Sequence, residues 1–320
     1  MPANDLANYI PALKFKKAQL KNRDLEGAGI FTFGNIFYVD SVNGSSANPG
    51  NRPDKAMATI DQAISLAAVT ANNDDVIIIL PGHAETVTAT SIALDVAGLR
   101  IIGMGKGLKR PTFTFGAAAA TITVTGANCS WENCHFIGNF LDVAAAFTLG
   151  AAKDFRLDNN TFVDNTASLG FLSILVTNAT DNSADNLTVV GNNWYGLDVS
   201  PNAFISILAA QNHVVITDNI VDMAATNDVG HFLTVAAKVV KNIRILRNIC
   251  TVVGSTGAAV GVFMTGSSTT NTGVMADNYC SSLDATSELF HTAALGLATF
   301  NNRYTGALTA QGYLLPAVDA

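Results

Sequence analysis

The chain has 320 residues, of which 13% are charged and 49% are hydrophobic, and its formal net charge is −7. This length supports one large core, and the acidic balance argues against a general nucleic-acid binder. Because no run of 18 apolar residues occurs and residues 1–17 lack a secretory apolar segment, we expect no membrane span and no signal peptide.

Residues 1–34 are predicted to form an extended N-terminal arm outside the folded body. We expect this arm to bury its apolar side chains against another subunit whose surface has an apolar centre and an acidic rim. Apolar and basic residues alternate irregularly along the arm, and those predicted to contact the partner are Tyr9, Ile10, Leu13, Lys14, Phe15, Lys16, Lys17, Lys21 and Arg23.

Residues 35–75 are predicted to contain a strand, a loop and a capping helix. The strand is Phe37-Tyr38-Val39-Asp40, and a loop rich in Gly, Asn and Pro follows it to Pro53. Apolar residues then recur at helical spacing, which predicts an amphipathic helix over 55–70. Such a helix would cover the open end of the first strand layer, which otherwise exposes apolar side chains.

A short pattern returns seven times within residues 76–305, the predicted body of the protein. An apolar residue is followed three positions later by Asn, and two positions after that by another large residue. The spacing between copies averages 28 residues. Cys134 occupies the first Asn position, and the later ones hold Asn160, Asn193, Asn219, Asn248, Asn278 and Asn302.

A period of this length indicates stacked units that are each too small to bury an apolar face alone. Around each Asn the apolar residues alternate with period two and then change parity, which predicts a strand, a bend at Asn and a second strand. We therefore predict an all-β fold, a single right-handed parallel β-helix of about eight rungs with a ladder of Asn side chains. Residues 306–320 are predicted to be a C-terminal tail.

The first strand and its loop carry a family resemblance. Tyr38-Val39-Asp40, Asn43-Gly44, Asn48-Pro49-Gly50 and Thr59-Ile60 resemble the opening of pectin-lyase-like β-helix proteins. The Asn repeats are similar to those of the same superfamily, so the resemblance spans roughly residues 37–305. That superfamily includes polysaccharide lyases, glycoside hydrolases, and phage tailspikes and other virion proteins.

The carboxylates Asp218 and Asp277 have two possible interpretations, an enzymatic one and a structural one. The column before the Asn positions reads Asn133, Asn159, Asn192, Asp218, Arg247, Asp277 and Asn301. Asp218 and Asp277 would lie two rungs apart, at roughly 9–10 Å, close to the separation in inverting glycosidases. Alternatively, Arg247 pairs with its neighbours as a surface ladder, and this is the interpretation that we favour.

The other reactive residues form no catalytic pattern in the sequence. Asp154, Asp158 and Asp164 could cluster as lyase carboxylates, but turns between strands collect Asp in any case. The Gly-His-Gly and Arg-Ile-Lys strings of the glycosidase branch are absent. Cys250 and Cys280 fall on successive rungs, where they could form a disulfide or serve as small buried hydrophobes. We predict no catalytic, cofactor or metal site.

These features predict a structural virion protein of a phage, either a capsid decoration (cement) protein or a spike. Two apolar stretches, 171–176 and 257–264, favour contact between subunits in a homotrimer, and residues 1–34 would anchor it to a capsid or other virion protein. The alternatives are a polysaccharide lyase or glycoside hydrolase, and a non-catalytic glycan binder that uses the aromatic pair Trp194 and Tyr195.

Overall fold

The computed structural model describes residues 32, 34–89, 92–197, 201–224, 230–236, 238–252, 263–266, 270–282, 296–305 and the backbone of 311–314. The nine arm residues predicted to contact a partner lie outside these ranges, as does most of the predicted C-terminal tail. Along the described chain, β-strands predominate over a single short α-helix. None of the described helices is long and apolar enough to cross a membrane.

The strands form three main sheets. Sheet A is parallel and contains β1 (Ile36–Val39), β2 (Val76–Ile79), β5 (Arg100–Gly103), β8 (Ser130–Glu132), β11 (Arg156–Asp158), β14 (Thr188–Val190), β18 (Val215–Thr217), β22 (Ile243–Leu246), β25 (Gly273–Ala276) and β27 (Leu297–Phe300). Sheet B contains β3 (Ala84–Val87), β6 (Thr112–Phe115), β9 (His135–Gly138), β12 (Thr161–Asp164), β15 (Asn193–Gly196), β19 (Ile220–Met223), β23 (Ile249–Val252), β26 (Tyr279–Ser282), β28 (Asn302–Thr305) and the antiparallel β29 (Gln311–Leu314).

Sheet C is parallel and contains β4 (Ile92–Leu94), β7 (Ile122–Val124), β10 (Phe147–Leu149), β13 (Ser173–Thr177), β16 (Ala203–Ile207), β20 (His231–Val235) and β24 (Met264–Gly266). At the corner between sheets C and A, the short strand β17 (Gln211–Asn212) pairs in parallel with β21 (Val240–Lys241) on the next rung.

The chain passes through sheets A, B and C in that order and then returns to sheet A one rung further along. The described residues contain seven complete rungs of this kind, and two more rungs contribute strands of sheets A and B. Equivalent residues stack in register, as Trp131, Leu157 and Val189 do in sheet A. The protein is therefore a right-handed parallel β-helix, as the repeat predicts.

Side chains that point inward form one continuous core along the helix axis. Alternation along each strand sends every second residue inside, and the same position on successive rungs stacks like on like. Phe113, Phe136 and Phe162 form one such column, with ring centroids 5.6 and 4.9 Å apart. Stacked apolar side chains of this kind hold neighbouring rungs together and exclude water from the interior.

A helix, α1 (Ile60–Ala67), covers the first rung, and its residues Ile60, Ala63, Ile64 and Ala67 are buried in the core. It is shorter than the predicted span of 55–70, because the chain is extended at Thr59, the N-cap residue, and because Ala68–Thr70 form a 3-10 turn at the other end. The Gln62 side chain accepts a hydrogen bond from the Thr59 backbone N–H at 3.3 Å, which marks the beginning of the helix.

Candidate interaction surface

A ladder of buried amide side chains follows the corner between sheets A and B. Each Asn Oδ1 accepts the backbone N–H of the equivalent residue one rung earlier. Each Nδ2 donates to a carbonyl of that earlier rung, and all except that of Asn302 also donate to the next Asn Oδ1. The N–H to Oδ1 pairs are Cys134–Asn160 (2.9 Å), Asn160–Asn192 (2.9 Å), Asn192–Asn219 (2.9 Å), Asn219–Asn248 (3.0 Å), Asn248–Asn278 (2.9 Å) and Asn278–Asn302 (3.1 Å).

The ladder contains Asn192, and the prediction that placed Asn193 in it is wrong by one residue. Asn193 is the first residue of β15, where it pairs with Thr161 and Ile220 on the outer side of sheet B. The Asn192-Asn193 dipeptide allows either register in the sequence. Burial decides between them, because Trp194 is fully buried whereas Tyr195 is 46% exposed.

The residue before each ladder position, rather than the Asn itself, adopts the left-handed conformation that makes the bend. The bend residues are Asn133, Asn159, Gly191, Asp218, Arg247, Asp277 and Asn301, with φ between 51° and 64°. Asn, Asp and Gly tolerate this conformation, and Arg247 is the unusual member of the column. The backbone therefore turns once per rung and leaves the following Asn side chain pointing inward.

Asp218 and Arg247 form an exposed ion pair in this bend column. Arg247 Nε and Nη2 each donate to one oxygen of the Asp218 carboxylate at 2.7 Å, and these hydrogen bonds lower the pKa of Asp218. Asp277 accepts a hydrogen bond from Asn301 instead. A general acid needs a raised pKa, so the geometry favours the surface ladder over a carboxylate pair for catalysis.

Arg110 closes the first end of the Asn ladder. Its Nη1 donates to Thr161 Oγ1 at 2.7 Å, and its Nη2 donates to the Cys134 carbonyl at 3.0 Å. The preceding rung cannot extend the ladder, because residues 104–111 form a longer connection there with a 3-10 turn at Gly107–Lys109. The guanidinium therefore binds carbonyls where the repeat of Asn side chains stops. The sequence analysis did not single out this residue.

Asp164 lies fully buried at the corner between sheets B and C. Its carboxylate accepts the backbone N–H groups of Phe171 and Leu197, both at 3.0 Å, and it accepts Trp194 Nε1 at 3.4 Å. These bonds fix two loops to the body. Asp164 therefore has a structural role here, and the buried Trp194 cannot serve with Tyr195 as a surface platform for a sugar.

A groove of about 660 Å³ runs beside α1, lined by the loop at Ser46–Pro49 and by Asp61, Gln62, Ser65 and Leu66. Burial, followed by the charges of Glu85 and Asp95, raises the pKa of Asp61. Glu85 itself accepts the N–H of Ile60 at 3.0 Å and contacts His83 Nε2 at 3.1 Å. Because His83 Nδ1 accepts the Ser41 backbone N–H, we assign the proton to Nε2.

All four cysteines are buried, and none of them forms a disulfide. Cys250 and Cys280 lie directly opposite each other on β23 and β26, as predicted from their spacing, but no disulfide joins them. Burial raises the pKa of Cys280 and raises that of Cys134 to about 12. In the described residues, no three His, Cys, Asp or Glu side chains come together as metal ligands.

The outer face of sheet B is almost free of charge. Two rows of side chains run along it over nine rungs, and in the described strands only Asp222 and Arg303 are charged. The first row is Ala84, Thr112, His135, Thr161, Asn193, Ile220, Ile249, Tyr279 and Arg303, and the second is Thr86, Thr114, Ile137, Val163, Tyr195, Asp222, Thr251, Ser281 and Thr305.

Large apolar side chains are concentrated in the later rungs of this face. Ile220, Ile249 and Tyr279 are consecutive in register and are 40%, 40% and 37% exposed, and Tyr195 lies in the adjacent row at 46%. A row of this kind on a flat sheet is typical of a surface that binds another protein. We refer to these four residues as the sheet B stripe.

The outer face of sheet C carries no charge at any described outward position. Its row contains Ala93, Thr123, Thr148, Val176, Ser206, Thr234 and Thr265. Hydroxyl groups bond along the row, as Thr234 does to Ser206 at 2.9 Å. Sheet A differs, because ion pairs lie on its outer face: Arg100 with Glu132 at 2.7 Å and Arg156 with Asp158 at 2.6 Å.

The apolar stretch at 171–176, which the sequence suggested as a subunit contact, lies largely in the core. Phe171, Ile174 and Leu175 are fully buried there. Residues 257–262 lie outside the described chain, and Phe263 and Met264 at the end of the second stretch are buried. Among the described strands of sheet B, the exposed apolar surface is the sheet B stripe, whose residues come from different rungs and therefore form no run in the sequence.

Several solved structures are similar to this chain at low sequence identity. A rhamnogalacturonan lyase shares 14% identity over 84% of this chain and 87% of its own, with a TM-score of 0.43. A GH136 lacto-N-biosidase from Eubacterium ramulus shares 10% identity over 92% of this chain and 71% of its own, with a TM-score of 0.41. No protein-family model and no curated protein sequence matches the chain.

Proposed function

We propose that this protein is a structural subunit of a phage virion that self-associates through the outer faces of sheets B and C. The observation that carries the proposal is the near absence of charge on these two faces, together with the exposed sheet B stripe. The assignment to a virion rests on the resemblance to the pectin-lyase-like superfamily, which includes phage spikes.

A homotrimer suits two different uncharged faces on one subunit. In a cyclic ring each subunit contacts its two neighbours through two different patches, so sheet B of one copy would meet sheet C of the next. Nine rungs at about 4.8 Å spacing give a face roughly 40 Å long. The hydroxyl groups of sheet C would then pack beside the Ile and Tyr side chains of the sheet B stripe.

Substitution at the centre of the sheet B stripe tests this proposal. Ile249→Lys places a charge on the exposed outer face, so the fold should tolerate it while the contact between subunits does not. We expect light scattering coupled to size-exclusion chromatography to give three times the 33.4 kDa chain mass for the wild type and the mass of a single chain for the variant.

Val215→Lys is the matched control, because Val215 occupies an outward position on sheet A in a middle rung. This variant should remain trimeric. A monomeric wild type, or a Val215→Lys variant that dissociates as readily as Ile249→Lys, would contradict self-association through sheets B and C.

Glycan cleavage in the groove beside α1 is the second candidate function. The groove supports it, and the pKa of Asp61 is raised by burial, which is the direction that a general acid requires. Under the structural proposal, neutral and acidic polysaccharides should yield no reducing ends and no unsaturated products. Turnover that disappears in Asp61→Asn but persists in the double variant Asp218→Asn/Asp277→Asn would replace the structural proposal with an enzymatic one.

A further inference from the structure

The three corners of the β-helix differ in the side chains that they expose. The corner between sheets A and B carries the ion pair of Asp218 with Arg247, and the corner between sheets C and A carries Lys238, whose Nζ lies 4.0 Å from Asp181 Oδ1. In the described part of the corner between sheets B and C, Asp142 is the only exposed charged residue. This corner therefore resembles the two uncharged faces that it joins.

Exposed apolar side chains occupy the corner between sheets B and C on consecutive rungs. Phe140 and Leu141 follow β9 and are 42% and 55% exposed, and Leu197 follows β15 at 47%. Leu169 follows β12, on the rung between them, and is half-buried. We call these four residues the corner group. Since Leu197 comes two residues after Tyr195, the corner group adjoins the sheet B stripe.

Hydrogen bonds between rungs hold the backbone of the corner group in place. The Phe140 carbonyl accepts the Gly170 N–H at 3.2 Å, and the Gly170 carbonyl accepts the Val143 N–H at 3.0 Å. The buried carboxylate of Asp164 accepts the Leu197 N–H at 3.0 Å. Because the backbone is already ordered, a partner that covers these side chains incurs little further cost in conformational entropy.

We infer that the corner group lies at the three-fold axis of the homotrimer, where it packs against the corner groups of the two other copies. The inference rests on the proposed function, in which sheet B of one copy meets sheet C of the next. In a closed ring each subunit has the shape of a wedge, and the corner between its two contact faces points to the symmetry axis. The corner between sheets B and C is the one in that position.

The chemistry of the corner group suits contact among identical copies. The centre of a protein interface is depleted in charge and enriched in apolar and aromatic side chains, which Phe140 and the three leucines supply. Either of the other corners would instead place its ion pairs at the axis, where they would lose water. Asp142 would be repeated beside the axis, and salt would screen the mutual repulsion of the three carboxylates.

Cross-linking with a short trivalent maleimide tests the inference on the full-length chain. Leu141→Cys places one reactive thiol per chain beside the axis, and the four native cysteines are buried and should not react. We expect the reagent to join three chains and to give a band at three times the 33.4 kDa chain mass on a denaturing gel. Leu197→Cys, two rungs further along, is a second position, and a joined trimer from either variant supports the inference.

Ala151→Cys is the matched control, because Ala151 is exposed on the same rung as Leu141 but at the corner between sheets C and A. Equivalent thiols would lie far apart there, so no joined trimer should form. Light scattering before the reagent is added gives the mass of each variant. A trimeric mass with no joined trimer from Leu141→Cys or Leu197→Cys, or an equal band from Ala151→Cys, would overturn the axial placement and leave the proposed self-association standing. A monomeric mass for the wild type and for both leucine variants would overturn both.

Discussion

Adjacent residues along one corner of this protein have opposite environments. Asn248 lies fully buried in the ladder, whereas Ile249 beside it is 40% exposed on the outer face of sheet B. The same contrast relates Asn219 to Ile220. The usual placement of polar and apolar side chains is thus reversed at this corner. The interior amides specify the register of the rungs, and the exterior apolar residues remain available for contact between subunits.

We expect the largest loss of stability from Asn248→Leu, which changes a buried residue of the Asn ladder. The substitution removes the Asn248 Oδ1 that accepts the Asn219 N–H and one of the hydrogen bonds of Asn219 Nδ2, and it removes the Nδ2 that donates to the Ile216 carbonyl, all in the interior. We expect the free energy of unfolding to fall by at least about 1–3 kcal/mol, the cost of one buried polar group without a partner. Denaturant titration measures it.

Thr251→Val on the outer side of the same strand is the control for Asn248→Leu. Its side chain lies on the outer face, so the unfolding midpoint should move little. An Asn248→Leu variant as stable as wild type would show that the ladder does not hold the rungs in register.

The sequence predicts the interactions of this corner that recur on every rung, and it does not predict those that occur once. The Asn residues recur with a period, so the β-helix and most ladder positions follow from spacing alone. The sequence places this ladder position one residue late, at Asn193 instead of Asn192, because both residues are Asn and only the burial of Trp194 separates the two registers. The roles of Arg110 and Asp164 cannot be predicted from the repeat. Each forms hydrogen bonds with a connection that occurs only once in the chain.

A smaller effect is expected at the end of the ladder, where Arg110 replaces an amide. Arg110→Met removes the donors to the Cys134 carbonyl and to Thr161 Oγ1 and keeps much of the side-chain volume. Since the site is partly exposed, water can replace some of these bonds, and we expect a loss of about 1 kcal/mol. Thermal unfolding should place this variant between wild type and Asn248→Leu. A loss equal to that of Asn248→Leu would contradict this ranking.

The smallest effect concerns the charged outer face of sheet A. Burial alone would raise the pKa of Glu132, but the hydrogen bonds and charge of Arg100 outweigh it, so the pKa is lowered. A carboxyl with a lowered folded pKa stabilises the fold above its unfolded pKa, and this contribution is lost as pH falls through the folded value. In Glu132→Gln, we expect the unfolding midpoint to fall less steeply with acidification below roughly pH 4.3. An unchanged acid profile would contradict the role of this pair.

Thermal unfolding at several protein concentrations tests the division between interior and exterior most directly. For a trimer, dissociation accompanies unfolding, so the wild-type Tm should rise with concentration. Asn248→Leu should have a lower Tm at every concentration and keep that rise, whereas the Tm of Ile249→Lys should not depend on concentration. A wild-type Tm independent of concentration, or the same response in both variants, would contradict separate roles for the buried amides and the sheet B stripe.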